Sequence, residues 1–222
     1  MFRGIIGMVE GSPDGEISRN RGAVNIEGER LTNFSDDGLV SGAASSTVEK
    51  EQQVPLVSDQ KITTTREEAE VEVFTEFLAN LHDGWVSVDR SDGEFLWEFL
   101  GFKHHCQIER AAIDLDKLTH EIRDWESVDV WQSQASRNVP GEDDTPVTIS
   151  YHDDAEWPDS GVGQLGFGGL WDGVPLRGII ARSGYVALFN ATEEQAARFL
   201  SDVVLKHCFV PDDGQETLGG SR

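Results

Sequence analysis

The sequence predicts an α+β domain: a mainly antiparallel sheet with three helices packed on it, preceded by a largely disordered N-terminal tail. Three observations lead there. Apolar residues recur at helical spacing in three separate stretches and at strand spacing between them. Short turn signals join successive strands, which makes neighbouring strands antiparallel. All six Trp fall between Trp85 and Trp171, so the expected core belongs to the later part of the chain.

The first expected helix covers Arg66 to His82, where Phe74, Phe77, Leu78 and Leu81 share one face and Glu67, Glu68, Glu72 and Glu76 lie mostly opposite. Asp83-Gly84 ends it. A hairpin is then expected from Trp85–Val88 and Glu94–Phe102, joined through Arg90-Ser91-Asp92-Gly93, with a third strand over Cys106–Ile113. Asp114 or Asp116 is placed to cap a second helix carrying Leu118, Ile122 and Trp125 on one face. Four strands follow over Val128–Gln132, Val147–His152, Leu176–Ala181 and Tyr185–Phe189, the last two turned by Arg182-Ser183-Gly184. Thr192 and Gln195 form a capping box for a closing helix with Ala196, Phe199, Leu200, Val203 and Val204 on its apolar face. Helices on one face of an antiparallel sheet make an α+β domain. The order of elements is similar to that of small secretion-chaperone-like domains, a likeness that implies partner binding.

Composition sets the boundaries. Residues 10–65 hold a single aromatic, Phe34, among many Gly, Ser, Thr, Asp and Glu. So little apolar surface does not offset the entropy of ordering, which predicts a flexible or weakly structured tail over 1–64. The single domain then runs from 65 to 212, with a frayed end over 213–222. Short runs such as Ala23-Val24-Asn25-Ile26 are able to pair as a strand where an edge is offered.

Charge narrows the function classes. The chain has 41 Asp+Glu against 18 Lys+Arg, a formal net charge of −23, and only five of its bases are Lys. Such an excess repels itself in dilute buffer and is screened in molar salt. An acidic, lysine-poor surface is the pattern of salt adaptation, with an ordinary acidic protein as the plainer reading. Phosphate binding needs clustered bases, and the densest group, Arg19-Asn20-Arg21, is short and sits among acids. Direct nucleic-acid binding is not expected. The apolar start, Met1 to Val9, is too short for a signal-peptide core, and no apolar run reaches membrane-spanning length. The expected location is the cytoplasm, without membrane attachment, which makes the sequons at Asn33 and Asn190 chance matches.

Several constellations invite chemistry. Gly161-Val162-Gly163-Gln164-Leu165-Gly166 matches the dinucleotide-binding pattern, but Trp157-Pro158 before it and Phe167-Gly168-Gly169 after it are not the strand and helix that pyrophosphate binding needs. A glycine-rich loop or edge strand is expected instead. His152, Asp153, Asp154, Glu156, Asp159 and Asp172 carry oxygen ligands suited to a hard cation, against the plainer reading of a solvated acidic loop. His82 and His120 are read as charge partners at helix ends. No nucleophile motif is present, so enzymatic activity stays open.

Both cysteines follow histidine, in His104-His105-Cys106 and His207-Cys208. Thiolate and imidazole suit zinc, which makes His105, Cys106, His207 and Cys208 a candidate metal set. A Cys106–Cys208 bridge and two buried free thiols are the alternatives, the thiols favoured because adjacent strand residues point to opposite faces. The leading functional expectation is a non-enzymatic protein-interaction or accessory module whose partner is another protein. The alternatives are a zinc-dependent enzyme or sensor using the His-Cys pairs, and a small-ligand binder with a pocket lined by Trp131, Trp157 and Trp171.

Overall fold

The structure is a computed structural model, and it describes residues 1–11, 13, 24–30, 39–58, 61–125, 127–138, 146–152 and 161–211. In chain order the strands and helices are β1 (Phe2–Glu10), β2 (Val24–Arg30), β3 (Val40–Ser58), β4 (Lys61–Asn80), β5 (Trp85–Val88), α1 (Phe95–His104), β6 (Gln107–Arg110), β7 (Ala112–Ile113) and α2 (Leu115–Arg123). There follow β8 (Asp129–Asn138), β9 (Pro146–His152), β10 (Val162–Trp171), β11 (Val174–Ala181), β12 (Tyr185–Leu188), α3 (Glu193–Phe199) and β13 (Cys208–Phe209). Among the described residues one antiparallel sheet runs β2-β3-β4-β5-β1-β12-β11-β10-β8-β9, with β6 also paired to β1, and β13 pairs with β7 apart from it.

The N-terminal strand is the centre of this sheet. Along one side β1 pairs with β5, through Ile5↔Val88 to Met8↔Trp85. Along the other it pairs first with β12 and then with β6. Its near-continuous apolar run follows from burial on both faces. Ile5 packs under α1 with Phe77, Val86, Val88, Leu96, Trp97 and Leu100. Ile6 points the other way, into the core that α2 and α3 close with Trp85, Leu118, Ile122, Phe199 and Leu200. The helices therefore cover both faces of the sheet.

This overturns the expected tail for much of residues 1–64. Phe2–Glu10 is a core strand, β2 pairs with β3, and β3 pairs with β4 over nineteen residues, from Val40↔Ala79 to Ser58↔Lys61. The boundary placed at 65 falls inside β4. Residues 14–23, 31–38 and 213–222 lie outside the described residues. Apolar content summed over residues 10–65 missed this, because β3 is ordered by its ladder with β4 and the apolar β1 by strands far away in sequence.

Two local expectations also exchange. Residues 66–80 are strand and not helix. Ala69, Val71, Val73, Phe77 and Ala79 alternate with Glu70, Glu72 and Glu76, a period of two that β-branched Val71, Val73 and Thr75 favour. Phe74, counted toward a helical stripe, is 53% exposed. Conversely, Glu94–Phe102 is not the second arm of a hairpin: a 3₁₀ turn over Ser91–Glu94 leads into α1, which buries Leu96, Trp97 and Leu100. The element order that resembled secretion-chaperone-like domains falls with these exchanges. The turn after β4 is held by Asn80, whose side-chain oxygen accepts from the His82 and Asp83 amides at 3.1 Å. His82 thus sits between two strands and ends no helix.

The later elements follow their local signals. Asp114 caps α2, accepting from the Lys117 amide at 3.2 Å. The Thr192–Gln195 capping box opens α3, and a π turn over Leu200–Val204 keeps Leu200, Val203 and Val204 facing the core. The glycine-rich segment is an interior strand, β10, between β11 and β8. No helix follows it, since Asp172 and Gly173, at φ 50° and 73°, turn it straight into β11. At Gly166 a Cβ would lie 2.9 Å from the Trp131 ring, so that glycine makes room for an indole on the neighbouring strand. Phe167, Phe199, Trp125 and Trp171 form an aromatic centre, with Phe167 and Phe199 stacked at 5.8 Å and both Trp rings edge-on to Phe199. Among the described residues no helix is long and apolar enough to cross a membrane.

Candidate functional site

Two surface features have no role in the core: a cleft beside the start of β1, and a two-stranded arm made by the outer parts of β3 and β4. The cleft has a volume of about 570 Å³ and lies where β1, β3, β4, β5 and the start of α3 meet. Phe2 and Leu78 form its apolar floor, 9% and 3% exposed. Ser41 and Ala43 form one wall, with Glu76 and Glu193 at the rim and β1 passing beneath at Phe2 and Arg3. Strand alternation explains the composition: Ser41, Ala43, Glu76 and Leu78 share one face of the β3–β4 pair. Exposed Phe74 lies further along that face, opposite Ser45. The Ser87 hydroxyl at the floor is buried and has no hydrogen-bond partner.

At the end of β5, buried Asp89 organises a polar knot. It accepts from the Thr75 hydroxyl at 2.8 Å and from two Arg90 guanidinium nitrogens at 3.1 Å, and Arg3 stands 3.7 Å away. With its oxygens occupied in this way, the carboxylate serves to fix the turn between β5 and α1 and to hold the guanidinium of Arg3 on the face that α1 covers. A second depression, about 470 Å³, lies on the arm among Glu51, Gln52, Gln53 and Arg66. It is only the space between long polar side chains.

The four candidate metal ligands are not gathered. His105 ends α1 in the left-handed conformation, φ 54°, and the amides of His105 and Cys106 both turn back to the Gly101 carbonyl. Cys208 packs against the core on the other face of the sheet, where β13 meets β7 at Cys208↔Ile113. His207 is engaged by Glu121, with Nε2 2.7 Å from Oε2. Both cysteines are free thiols. Among the described residues no three His, Cys, Asp or Glu side chains come together as a metal-holding group.

Burial pushes the Cys208 thiol up to about 12 and raises that of Cys106 as well. The Cys208 thiol donates to the Val204 carbonyl at 3.5 Å. The thiolate is both the nucleophile and the metal ligand, so burial holds Cys208 in its unreactive form. An aromatic disulfide reagent at neutral pH is expected to modify Cys208 roughly 100-fold more slowly in the folded protein than after unfolding. Equal rates in the two states would show that the segment around β13 opens freely. Because the folded-state pKa is raised, the stability linked to this thiol is complete below the ordinary value of about 8.5. It is lost as pH rises toward 12.

The tryptophans proposed as a pocket serve packing roles where described. Trp131 donates from Nε1 to the Phe167 carbonyl at 3.1 Å, with Arg177 over its ring. Trp171 meets Phe199 edge-on, with Arg198 over it. Trp157 lies outside the described residues, and neither of the two depressions is lined by Trp. Of the acidic set, Asp153, Asp154, Glu156 and Asp159 also lie outside them. Asp172 pairs with Arg198 at 3.1 Å. His120 places Nδ1 2.7 Å from the Asp116 carbonyl one turn back in α2. The cleft was not legible in the sequence, because its walls come from elements between Met1 and Glu193. No family profile matches this sequence, and comparison with curated proteins finds no relative.

Proposed function

We propose that the protein is a salt-adapted, acidic, non-enzymatic interaction module that acts in the cytoplasm by docking a segment of another protein in the cleft beside β1. The observation that carries this reading is the composition of that cleft. It combines an apolar floor of Phe2 and Leu78 with an acidic rim of Glu76 and Glu193, and exposed Phe74 lies nearby. An apolar centre within a polar rim is the anatomy of a specific protein contact. At −23 the net charge keeps such a surface soluble and favours partners that tolerate an acidic field.

The test is affinity purification from the protein's own cytoplasm in molar salt, comparing wild type with Ala43→Arg. Ala43 lies on the cleft wall in β3 and is half-exposed, so the longer side chain fills the groove while the β3–β4 ladder is kept. Wild type is expected to retain a stoichiometric partner that the variant loses, with thermal midpoints within a few degrees of each other. Retention of the same proteins by both would eliminate the cleft as the docking site.

A further inference from the structure

Beyond the body of the sheet the β3–β4 pair continues as an arm. The last β2 residue in register is Val24, opposite Ser46, and β5 joins β4 only from Phe77 onward. Lys50, 2.5 Å from Asp92 beside α1, braces its base. From Glu51 to Ser58 and from Lys61 to Glu68 the two strands have only each other as neighbours among the described strands. At about 3.3 Å per residue the arm reaches roughly 25 Å.

Its two edges are not equivalent. The Asp89 amide donates to the Glu76 carbonyl at 3.1 Å, so even-numbered residues of β4 aim their main-chain groups away from β3. The unbroken register carries this parity outward to Thr64, Arg66 and Glu68. Opposite Thr64 stands Pro55, which has no N–H to offer on the outer edge of β3. That edge is blocked to strand addition. The β4 edge presents Thr63-Thr64-Thr65, uncharged residues of high strand propensity, between Lys61 and Glu67. An open edge of this kind is a template for another strand.

We infer that the β4 edge pairs with the β4 edge of a second copy of this chain, antiparallel about a two-fold axis at Thr64. Parity requires outward-facing residues to oppose one another, and charge then selects the centre. About Thr64, each Lys61 faces Glu67 of the other copy and each Thr63 faces Thr65, pairings that stabilise antiparallel strands. Centring on Arg66 or Glu68 sets that residue against its own copy, and centring on Glu67 opposes two Glu67 side chains. Centring on Thr65 forms no opposite-charge pair. Of these centres only Thr64 forms opposite-charge pairs with no like-charge pair, the self-complementarity an isologous interface needs. This contact uses the arm and not the cleft, so it stands apart from the docking proposed above.

Sedimentation equilibrium of the full chain at about 5–200 µM in about 0.5 M KCl, where local ion pairs survive partial screening, tests it. The expected mass at the upper concentrations is twice 24.5 kDa. Lys61→Glu and Glu67→Lys are each expected to weaken dimerisation at least 10-fold, although they move the net charge in opposite directions. The double variant Lys61→Glu/Glu67→Lys, with the wild-type net charge, is expected to restore it. Thr64→Pro removes the outward N–H at the axis, where the β3 ladder does not use it, and is expected to give a monomer with unchanged circular dichroism. A wild type that stays monomeric throughout overturns the proposal, leaving the edge to a different protein. A dimer indifferent to Thr64→Pro, or a double variant no better than the singles, overturns it equally.

Discussion

Removal of residues 1–10 is expected to abolish cooperative unfolding altogether. Those residues include β1, which sits between β5 and the β12–β6 side of the sheet and connects its two halves. Without it, Val86 and Val88 on one side and Val186 and Leu188 on the other lose their hydrogen-bonded neighbour, and both cores lose a wall. The gap exposes main-chain groups that the sheet interior had satisfied. The deleted chain should show a broad, non-cooperative thermal profile and lose its near-ultraviolet circular dichroism. A milder probe bears on the same point: Ile6→Ala, at a fully buried side chain, should cost roughly 2–5 kcal/mol in denaturant unfolding. A deletion variant that melts in one sharp transition would mean that β1 is dispensable and that the sheet closes without it.

The second large effect is expected from salt. With a net charge of −23 the folded chain repels itself, and the arm shows the repulsion locally. Glu49 faces Glu70, and Glu51 faces Glu68, directly across the ladder, and like charges placed so destabilise a strand pair. Among the described residues, Arg66, 3.3 Å from Glu51, offsets part of this. In about 3 M KCl the screening length falls below 3 Å, against about 10 Å at 0.1 M, so most of the repulsion disappears. If screening restores about 3 kcal/mol, the thermal midpoint rises by roughly 10 °C for a domain of this size. A midpoint that is unchanged or lower at high salt would remove the reading of the acidic surface as salt adaptation.

The interior shows why the parts of the chain differed in legibility. The capping box at Thr192 and Gln195, the Asp114 cap and the Arg182-Ser183-Gly184 turn are complete within a few residues, and each lies where its chemistry predicts. The alternating segments that became β8, β9, β11 and β12 were likewise readable. At β4 both periods were present: Phe74, Phe77, Leu78 and Leu81 fit a helix, while Ala69, Val71, Val73, Phe77 and Ala79 fit a strand. Pairing with β3 over nineteen residues favoured the strand. At Phe95–His104 the apolar run suited either state, and its packing against Phe77, Val86 and Val88 favours the helix. The two His-Cys pairs, alike in sequence, fall at different places in the fold: Cys106 just beyond the end of α1, and Cys208 on β13 beside β7.

By itself, then, the sequence determined the acidic character, the antiparallel α+β class and the elements whose start and stop signals are local. Tertiary structure alone decided that the first strand is central, that helices cover both faces, and that β3 and β4 run on as an arm. It also decided that Met1, Ser41, Ser87 and Glu193 meet in one cleft. The physical reason is range. Caps and turns are settled by hydrogen bonds within a few residues. The fate of Ile5 and Ile6 depends on strands roughly 80 and 180 residues away, whose burial energy is realised only when the whole sheet has formed.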